Sequence, residues 1–509
     1  MDLGTALRWT AERYPARRAV GGANPLSYAE WDDHTSRLAS ALGEQGVGVG
    51  DRVVLVLAGG LPLASLHLAA QMLGATSVPL SFRFGVPELA YCVADAAPAL
   101  VIYDAENEEL VTKALAEAPG VRGVSAGAIG HQAARAEPAP AVPVADTATS
   151  VMLYTSGTTG KPKGVPRSHS AEHYAALAHL IQSGQSCFDT TLGVMPLFHT
   201  MGMRTLLSTI LTAGTWVPQV RFDAGEALEL IVREEITTLY LVPTIYWALL
   251  RTGRLAEATS VRKIAYAGAA MTTALAERLA GTLRPRSFVN HFGSTEIYTF
   301  SIGPDAAAKP GSAGRAGVFS RVRLVRPEPG ASPDELVGPG EQGQVAVSMA
   351  SPEAFAGYWN RPDADAKTIR EGWYFPGDLA VADEDGDLWV SGRVDDMINS
   401  GGENIYPDEV EDALVRCPAV REVVVAGTPD DRWGQAVTAF FVPERGTDPA
   451  RAADEVWRFA REGSGLPSLK RPKRVIAVPE IPKSAVGKIL RRELGAGHYE
   501  VLADVGENA

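Results

Sequence analysis

The chain opens on short apolar runs that alternate with amphipathic stretches. Residues 51–58, DRVVLVLA, form a continuous β-branched run of the kind buried on both faces of a sheet. Residues 60–75 read as a helix, and TSVPL at 76–80 as the next strand. That spacing predicts βαβ units and a mainly parallel sheet. A stretch rich in Ala and Pro, 131–149, has no usable period and reads as a loop ahead of the strand SVMLYT. From 186 to 292 the alternation resumes: TLGVMPL, GTWVPQV, ITTLYLVPT and VRKIAYAG are expected strands of a second α/β sheet. Beyond 310, the Gly- and Pro-punctuated runs RVRLVRP, GQVAVSM and GDLWVSGR predict a small β-rich subdomain ending near Arg393. A helix in YPDEVEDALVRCP, with Pro near its start, then precedes the strands VREVVVAGTP and AVTAFFVPE. The expected class is α/β, with a large N-terminal domain over 1–394 and a small α+β C-terminal domain over 395–509. No internal repeat is visible.

Composition narrows the function more than the fold. The chain has 509 residues, 46% hydrophobic and 21% charged, which is ordinary globular composition with room for several domains. A net charge of −13 supplies no basic footprint, so no nucleic-acid partner is expected. Cys92, Cys187 and Cys417 lie far apart with no C-x-x-C pair, which argues against a disulfide framework or zinc cluster and for a reducing compartment. The first residues, MDLGTALRWTAERYP, hold acids and no apolar core, and no apolar run approaches the ~20 residues a membrane span needs. A cytoplasmic location without membrane association is the expectation.

The densest chemistry lies in LYTSGTTGKPKGV, 153–165. Four Ser and Thr residues, three glycines and two lysines follow a strand directly. Glycines let backbone N–H groups approach an anion, hydroxyls add donors and lysines add charge, a set suited to a polyphosphate. The spacing is not that of a Walker P-loop.

This segment resembles the signature loop of the adenylate-forming superfamily of acyl-CoA synthetases, luciferases and peptide-synthetase adenylation domains. The resemblance implies that Thr155, Ser156, Gly157, Thr158, Thr159, Gly160 and Lys161 grip the β and γ phosphates of ATP, with Lys163 assisting. Four further segments follow in the family's order. YAGAAM and NHFGSTE resemble its adenine-binding strand ends, which assigns Gly268, Ala269, Ala270, His291, Phe292, Gly293, Ser294 and Thr295 to the nucleotide. Phe292 would stack on the base and Thr295 would meet the α-phosphate. Glu296 would bind Mg²⁺, a hard cation that prefers carboxylate oxygen. In GWYFPGDLA, Asp378 matches the ribose-binding aspartate, although read alone it is an ordinary turn residue. In SGRVDDMINSGGENIYPDEVE, Arg393 would contact the nucleotide and Asp395 would be the pivot of a mobile C-terminal domain. Gly401 and Gly402 would let a pantetheine arm pass close to the backbone. In PKSAVGKILRREL, Lys488 matches the catalytic lysine, whose ammonium would offset the charge that develops as a carboxylate attacks the α-phosphorus.

The resemblance covers the chain from about residue 10 to 495 and is nearest to the 4-chlorobenzoate CoA ligase type of aryl-CoA ligase, through GRVDDMI, SGGENI, DDRWGQAVTA and KRPKR. It implies ATP, Mg²⁺ and coenzyme A as co-reactants and a small carboxylic acid as substrate. His199, in PLFHTMGM, would gate the acid; Thr200, Met201, Ala267, His291, Gly293, Tyr298 and Thr299 would surround it. His291 and Tyr298 stand where the chlorobenzoate enzyme is apolar, which favours a hydroxylated, amino or heteroaromatic acid and disfavours a long fatty tail. Arg83, Trp433, Lys470 and Arg471 would hold coenzyme A, with Leu469 in place of an aromatic that could stack on its adenine. The rival readings are a stand-alone adenylation enzyme loading a carrier protein, a short- or medium-chain acyl-CoA synthetase and a regulatory pseudo-enzyme. A luciferase-like oxygenase has no separate support, and assembly as a homodimer is left open.

Overall fold

The computed structural model describes residues 3–155, 161–328, 330–400, 403–405, 407–430, 432–483 and 489–506. The chain divides into two compact units. One comprises Met1–Arg323, Ala346–Tyr374 and Asp383–Trp389, and the other Leu324–Val345, Phe375–Ala382 and Val390–Ala509.

The first unit holds two large sheets. One has six strands in the order Gly123–Ser125, Leu100–Tyr103, Arg52–Val56, Thr76–Pro79, Thr149–Thr155, Lys163–Ser168, parallel except for the last pair. The apolar run over 53–56 follows from burial on both faces: Val53 and Leu55 join one core, Val54 and Val56 the other. The helix Gly60–Met72 is buried nearly all round, which explains its even apolarity.

The second sheet has nine strands. Its parallel centre runs Ser287–Phe292, Lys263–Ala267, Thr238–Leu241, Thr190–Gly193, Thr215–Pro218. The hairpin Arg18–Val20/Leu26–Ser27 completes one edge through Val20 opposite Trp216. That N-terminal contribution departs from the sequence reading, which drew this sheet from 186–292 alone. Its anchor is long-range: Trp31 and Trp216 stack at 6.4 Å, both fully buried. A second departure is the helix Ala126–Ala133, which runs into the segment read as loop from 131. Ser125 caps it by accepting from the Ala128 N–H, and Ile129 and Ala133 bury against the core.

The second unit is built on a six-stranded sheet in which Val420–Asp430 and Gly434–Pro443 form a long antiparallel pair. The helices Pro407–Leu414 and Pro449–Glu462 supply residues to its core. Within this unit the Arg491 guanidinium reaches Asp408 Oδ1 at 2.6 Å, Glu411 Oε2 at 2.7 Å and Asp396 Oδ2 at 3.4 Å. The α/β class expected from the hydrophobic pattern is the one observed. Among the described residues no helix is long and apolar enough to cross a membrane.

Candidate active site

Thr155 ends the strand Thr149–Thr155 and pairs with Lys163 of the antiparallel strand Lys163–Ser168. Ser156, Gly157, Thr158, Thr159 and Gly160 lie outside the described residues. Lys161 is exposed, with its ammonium 5.4 Å from the Tyr91 ring centre. Lys163 instead stands 4.2 Å over the ring of Tyr358. The Tyr358 hydroxyl donates to Glu296 Oε1 at 2.6 Å, and burial, reinforced by the Glu296 charge, raises its pKa, so it remains a donor at neutral pH. Glu296 is buried, and its second oxygen has no hydrogen-bond partner among the described residues. A buried carboxylate with one oxygen fixed and the other open fits a hard divalent cation.

Two adjacent parallel strands, Lys263–Ala267 and Ser287–Phe292, end together with Ala267 opposite His291. The carboxyl ends of parallel strands are where α/β sheets receive ligands. After the first, Gly268 takes φ +84° and opens an exposed turn with Ala269 and Ala270. After the second, Gly293 is exposed, Ser294 and Thr295 are half-buried, and Ser294 Oγ accepts from the Glu296 N–H at 3.2 Å. Phe292 is half-buried and meets Phe300 edge-on at 5.2 Å. His199 occupies the N-cap position of the helix Thr200–Leu211; its Nδ1 is buried without a partner among the described residues, and burial lowers its pKa. Thr200 is half-buried, and Met201 packs with Tyr240, Ala265 and Val289.

Behind this edge lies a buried polar cluster. Arg204 Nη2 donates to Thr299 Oγ1 at 2.8 Å, and Nη1 to His291 Nδ1 at 3.1 Å and Tyr240 Oη at 3.5 Å. Glu353 Oε2 stands 3.7 Å from Nη2; burial pushes its pKa up to about 7 although Arg204 and Arg167 oppose the shift. The Tyr298 ring has Arg167 at 3.8 Å and Arg204 at 5.3 Å. Arg167 donates to Glu172 Oε1 at 2.6 Å and to the carbonyls of Glu353 at 2.7 Å, Glu296 at 3.0 Å and Thr295 at 3.4 Å.

In the second unit, Asp378 Oδ1 accepts from Arg393 Nη1 at 2.7 Å, and Arg393 Nη2 donates to the Pro376 carbonyl. These two candidate nucleotide contacts are therefore joined to each other. Trp433 lies with Arg432 at 4.8 Å and Lys473 at 5.0 Å from its ring. Lys470 pairs with Glu409 at 2.7 Å, and Arg471 donates to the Leu466 carbonyl. Gly401, Gly402, Lys488 and the Asp395 side chain lie outside the described residues. Arg83, in the first unit, is exposed beside Phe82.

Matches to known proteins decide the family. The model for AMP-binding enzymes matches residues 7–359, and that for the AMP-binding enzyme C-terminal domain matches 409–488. The chain belongs to the AMP-binding enzyme family. It is 37% identical over 479 residues to a feruloyl-CoA synthase from Amycolatopsis sp, covering 93% of this chain and 94% of that one. It is 32% identical over 506 residues to a 4-chlorobenzoate–CoA ligase from Arthrobacter sp, covering 96% and 93%. A solved Mycobacterium tuberculosis fatty acyl CoA synthetase is 30% identical, with TM-score 0.77 over 97% of this chain and 99% of that one. The chain is thus an AMP-forming acid–thiol ligase.

Within this AMP-binding enzyme, sequence reasoning missed Arg167, Arg204, Tyr358 and Glu353. A signal existed for one of them. Arg204 interrupts the apolar helical run TMGMRTLLSTI, and an arginine on a buried face demands partners.

Proposed function

We propose that this AMP-binding enzyme activates a small aromatic or heteroaromatic carboxylate as an acyl-AMP and transfers the acyl group to coenzyme A, releasing pyrophosphate and then AMP. The observation that carries the choice of acid is the polar, fully buried set of His291, Thr299 and Arg204 behind the strand ends at Ala267 and Phe292. Arg204 already pairs with Thr299 and with His291 Nδ1, but His291 Nε2 has no partner among the described residues, and a plain alkyl chain would leave it so.

In this reading Thr155 and the loop through Lys161 hold the polyphosphate, Glu296 holds Mg²⁺, and Asp378 and Arg393 meet the ribose. The Mg²⁺ ion would draw charge off the phosphates. Lys488 supplies the ammonium for adenylation; Gly401 and Gly402 serve the thioester step after the domain from Asp395 onward has turned. His199, neutral because it is buried, screens the acid without adding charge. Gly268–Ala270 and Phe292–Thr295 receive the adenine and α-phosphate. Arg83, Trp433, Lys470 and Arg471 receive coenzyme A. A cytoplasmic enzyme without nucleic-acid or membrane partners completes the proposal. The likeness to a fatty acyl CoA synthetase favours a second reading, an aliphatic acid.

Pyrophosphate release, measured with ATP and Mg²⁺ over benzoates, furoate, short and medium fatty acids and amino acids, with and without coenzyme A, separates these. The aromatic reading expects fast turnover of a small aromatic acid only when coenzyme A is present. Faster turnover of fatty acids or amino acids would overturn it.

A further inference from the structure

Arg204 fixes the proton on His291, and that fixes what the acid must offer. Arginine is a donor only, so the His291 nitrogen facing its Nη1 at 3.1 Å must accept. Burial, with His179 and Arg204 adding to it, drives the His291 pKa well below the ordinary imidazole value, so the ring is neutral. A neutral ring that accepts at Nδ1 carries its single proton on Nε2. That N–H is buried and has no acceptor among the described residues. The ring cannot turn freely to find one: His179 lies 5.2 Å and Tyr240 5.1 Å from its centre. An unpaired buried donor is costly, and this one belongs to the carboxyl end of its strand, opposite Ala267, where α/β sheets receive ligands.

The geometry points to an acid that carries a hydrogen-bond acceptor on its ring, a hydroxyl, alkoxy or heteroatom, placed to take the His291 Nε2–H, with Arg204 as the positioning residue that holds this tautomer. The inference rests on the ligase reading and sharpens it: a bare benzoate or an alkyl acid leaves the donor unpaired, whereas an acceptor-bearing acid completes the cluster.

The test is the ratio of kcat/KM for hydroxy-, methoxy- and heteroaromatic acids to that for benzoate, in the wild-type enzyme and in His291→Leu, His291→Gln, Arg204→Met and Arg204→Lys. The wild type should favour at least one acceptor-bearing acid by about tenfold to a hundredfold, the range for a buried donor left without its partner. His291→Leu should collapse that ratio, and His291→Gln, which keeps an N–H donor, should retain part of it. Arg204→Met frees Nδ1 to take the proton and should lower the ratio, whereas Arg204→Lys still donates there and should preserve more of it. A merely structural role would lower both acids equally and leave the ratio unmoved, which overturns the inference. So does a wild type that turns over benzoate as well as every acceptor-bearing acid. Absence of acid-dependent turnover with any compound would instead refute the ligase reading, and the inference with it.

Discussion

Replacing Arg167 by methionine keeps most of the side chain's length but removes every polar contact it makes. The guanidinium is fully buried and pairs with Glu172, itself only 4% exposed, at 2.6 Å. It also closes the carbonyls of Thr295, Glu296 and Glu353. The variant therefore leaves a buried carboxylate and several backbone acceptors unpaired. Breaking a buried ion pair on one side costs about 3–5 kcal/mol. For a folding unit of several hundred residues that lowers Tm by about 4–7 °C. The second consequence is chemical. Two of the carbonyls that Arg167 holds, those of Thr295 and Glu296, belong to the turn that carries Glu296, so the proposed Mg²⁺ ligand and the proposed α-phosphate contact lose their anchor. The acid-dependent pyrophosphate release should fall by about tenfold or more at a temperature where the variant is fully folded, with KM for ATP·Mg²⁺ rising. Calorimetry and steady-state kinetics read the two effects separately. Adding Glu172→Gln should recover part of the stability, because the orphaned charge is gone, but little of the activity. A single variant within about 1 °C of wild type and with unchanged kinetics would refute the reasoning.

Three other perturbations follow from the same geometry. Tyr358→Phe removes the donor that fixes Glu296 Oε1 at 2.6 Å; titration of activity with Mg²⁺ should shift to higher concentration by several-fold, about the effect of losing one charge-assisted hydrogen bond. Glu353, with its pKa pushed up to about 7 by burial, binds more protons folded than unfolded between about pH 4.5 and 7, so its contribution to stability is present at low pH and lost as pH rises through 7. Tm profiles of wild type and Glu353→Gln should accordingly converge or cross on going from pH 5.5 to 8, and parallel profiles would count against the assignment. Arg491→Met strands Asp408 and Glu411, whose pKa values burial already raises; it should destabilise the second unit more at pH 8 than at pH 5.5, as denaturant melts at the two pH values would show.

Much of this was legible from local pattern because most elements are stated locally. The run over 52–56 announces a doubly buried strand, and the distribution of Val53 and Val54 to opposite cores is the reason it reads so clearly. What local pattern does not carry is a partner distant in the chain. The hairpin at 18–27 belongs to the second sheet only because Trp216 lies beside Val20, nearly two hundred residues on. Arg167 carries no local signal of its burial, since three of its carbonyl partners stand 128 to 186 positions away. The last turn of the helix Ala126–Ala133 lies in an Ala- and Pro-rich stretch without a usable period, so the pattern begins the loop too early, at 131. The motifs, by contrast, are contiguous in sequence, and the strands that precede Gly268 and Gly293 pair with each other.

In the proposed reaction one carboxylate passes through a bound acyl-AMP on its way to coenzyme A. Isotope exchange between pyrophosphate and ATP, measured with the preferred aromatic acid and without coenzyme A, tests it most directly, with Lys488→Ala alongside. The wild type should show acid-dependent exchange, Lys488→Ala should lose it, and acyl-CoA should form once the thiol is added. Exchange that is absent with every acid, or that survives intact in Lys488→Ala, would contradict it.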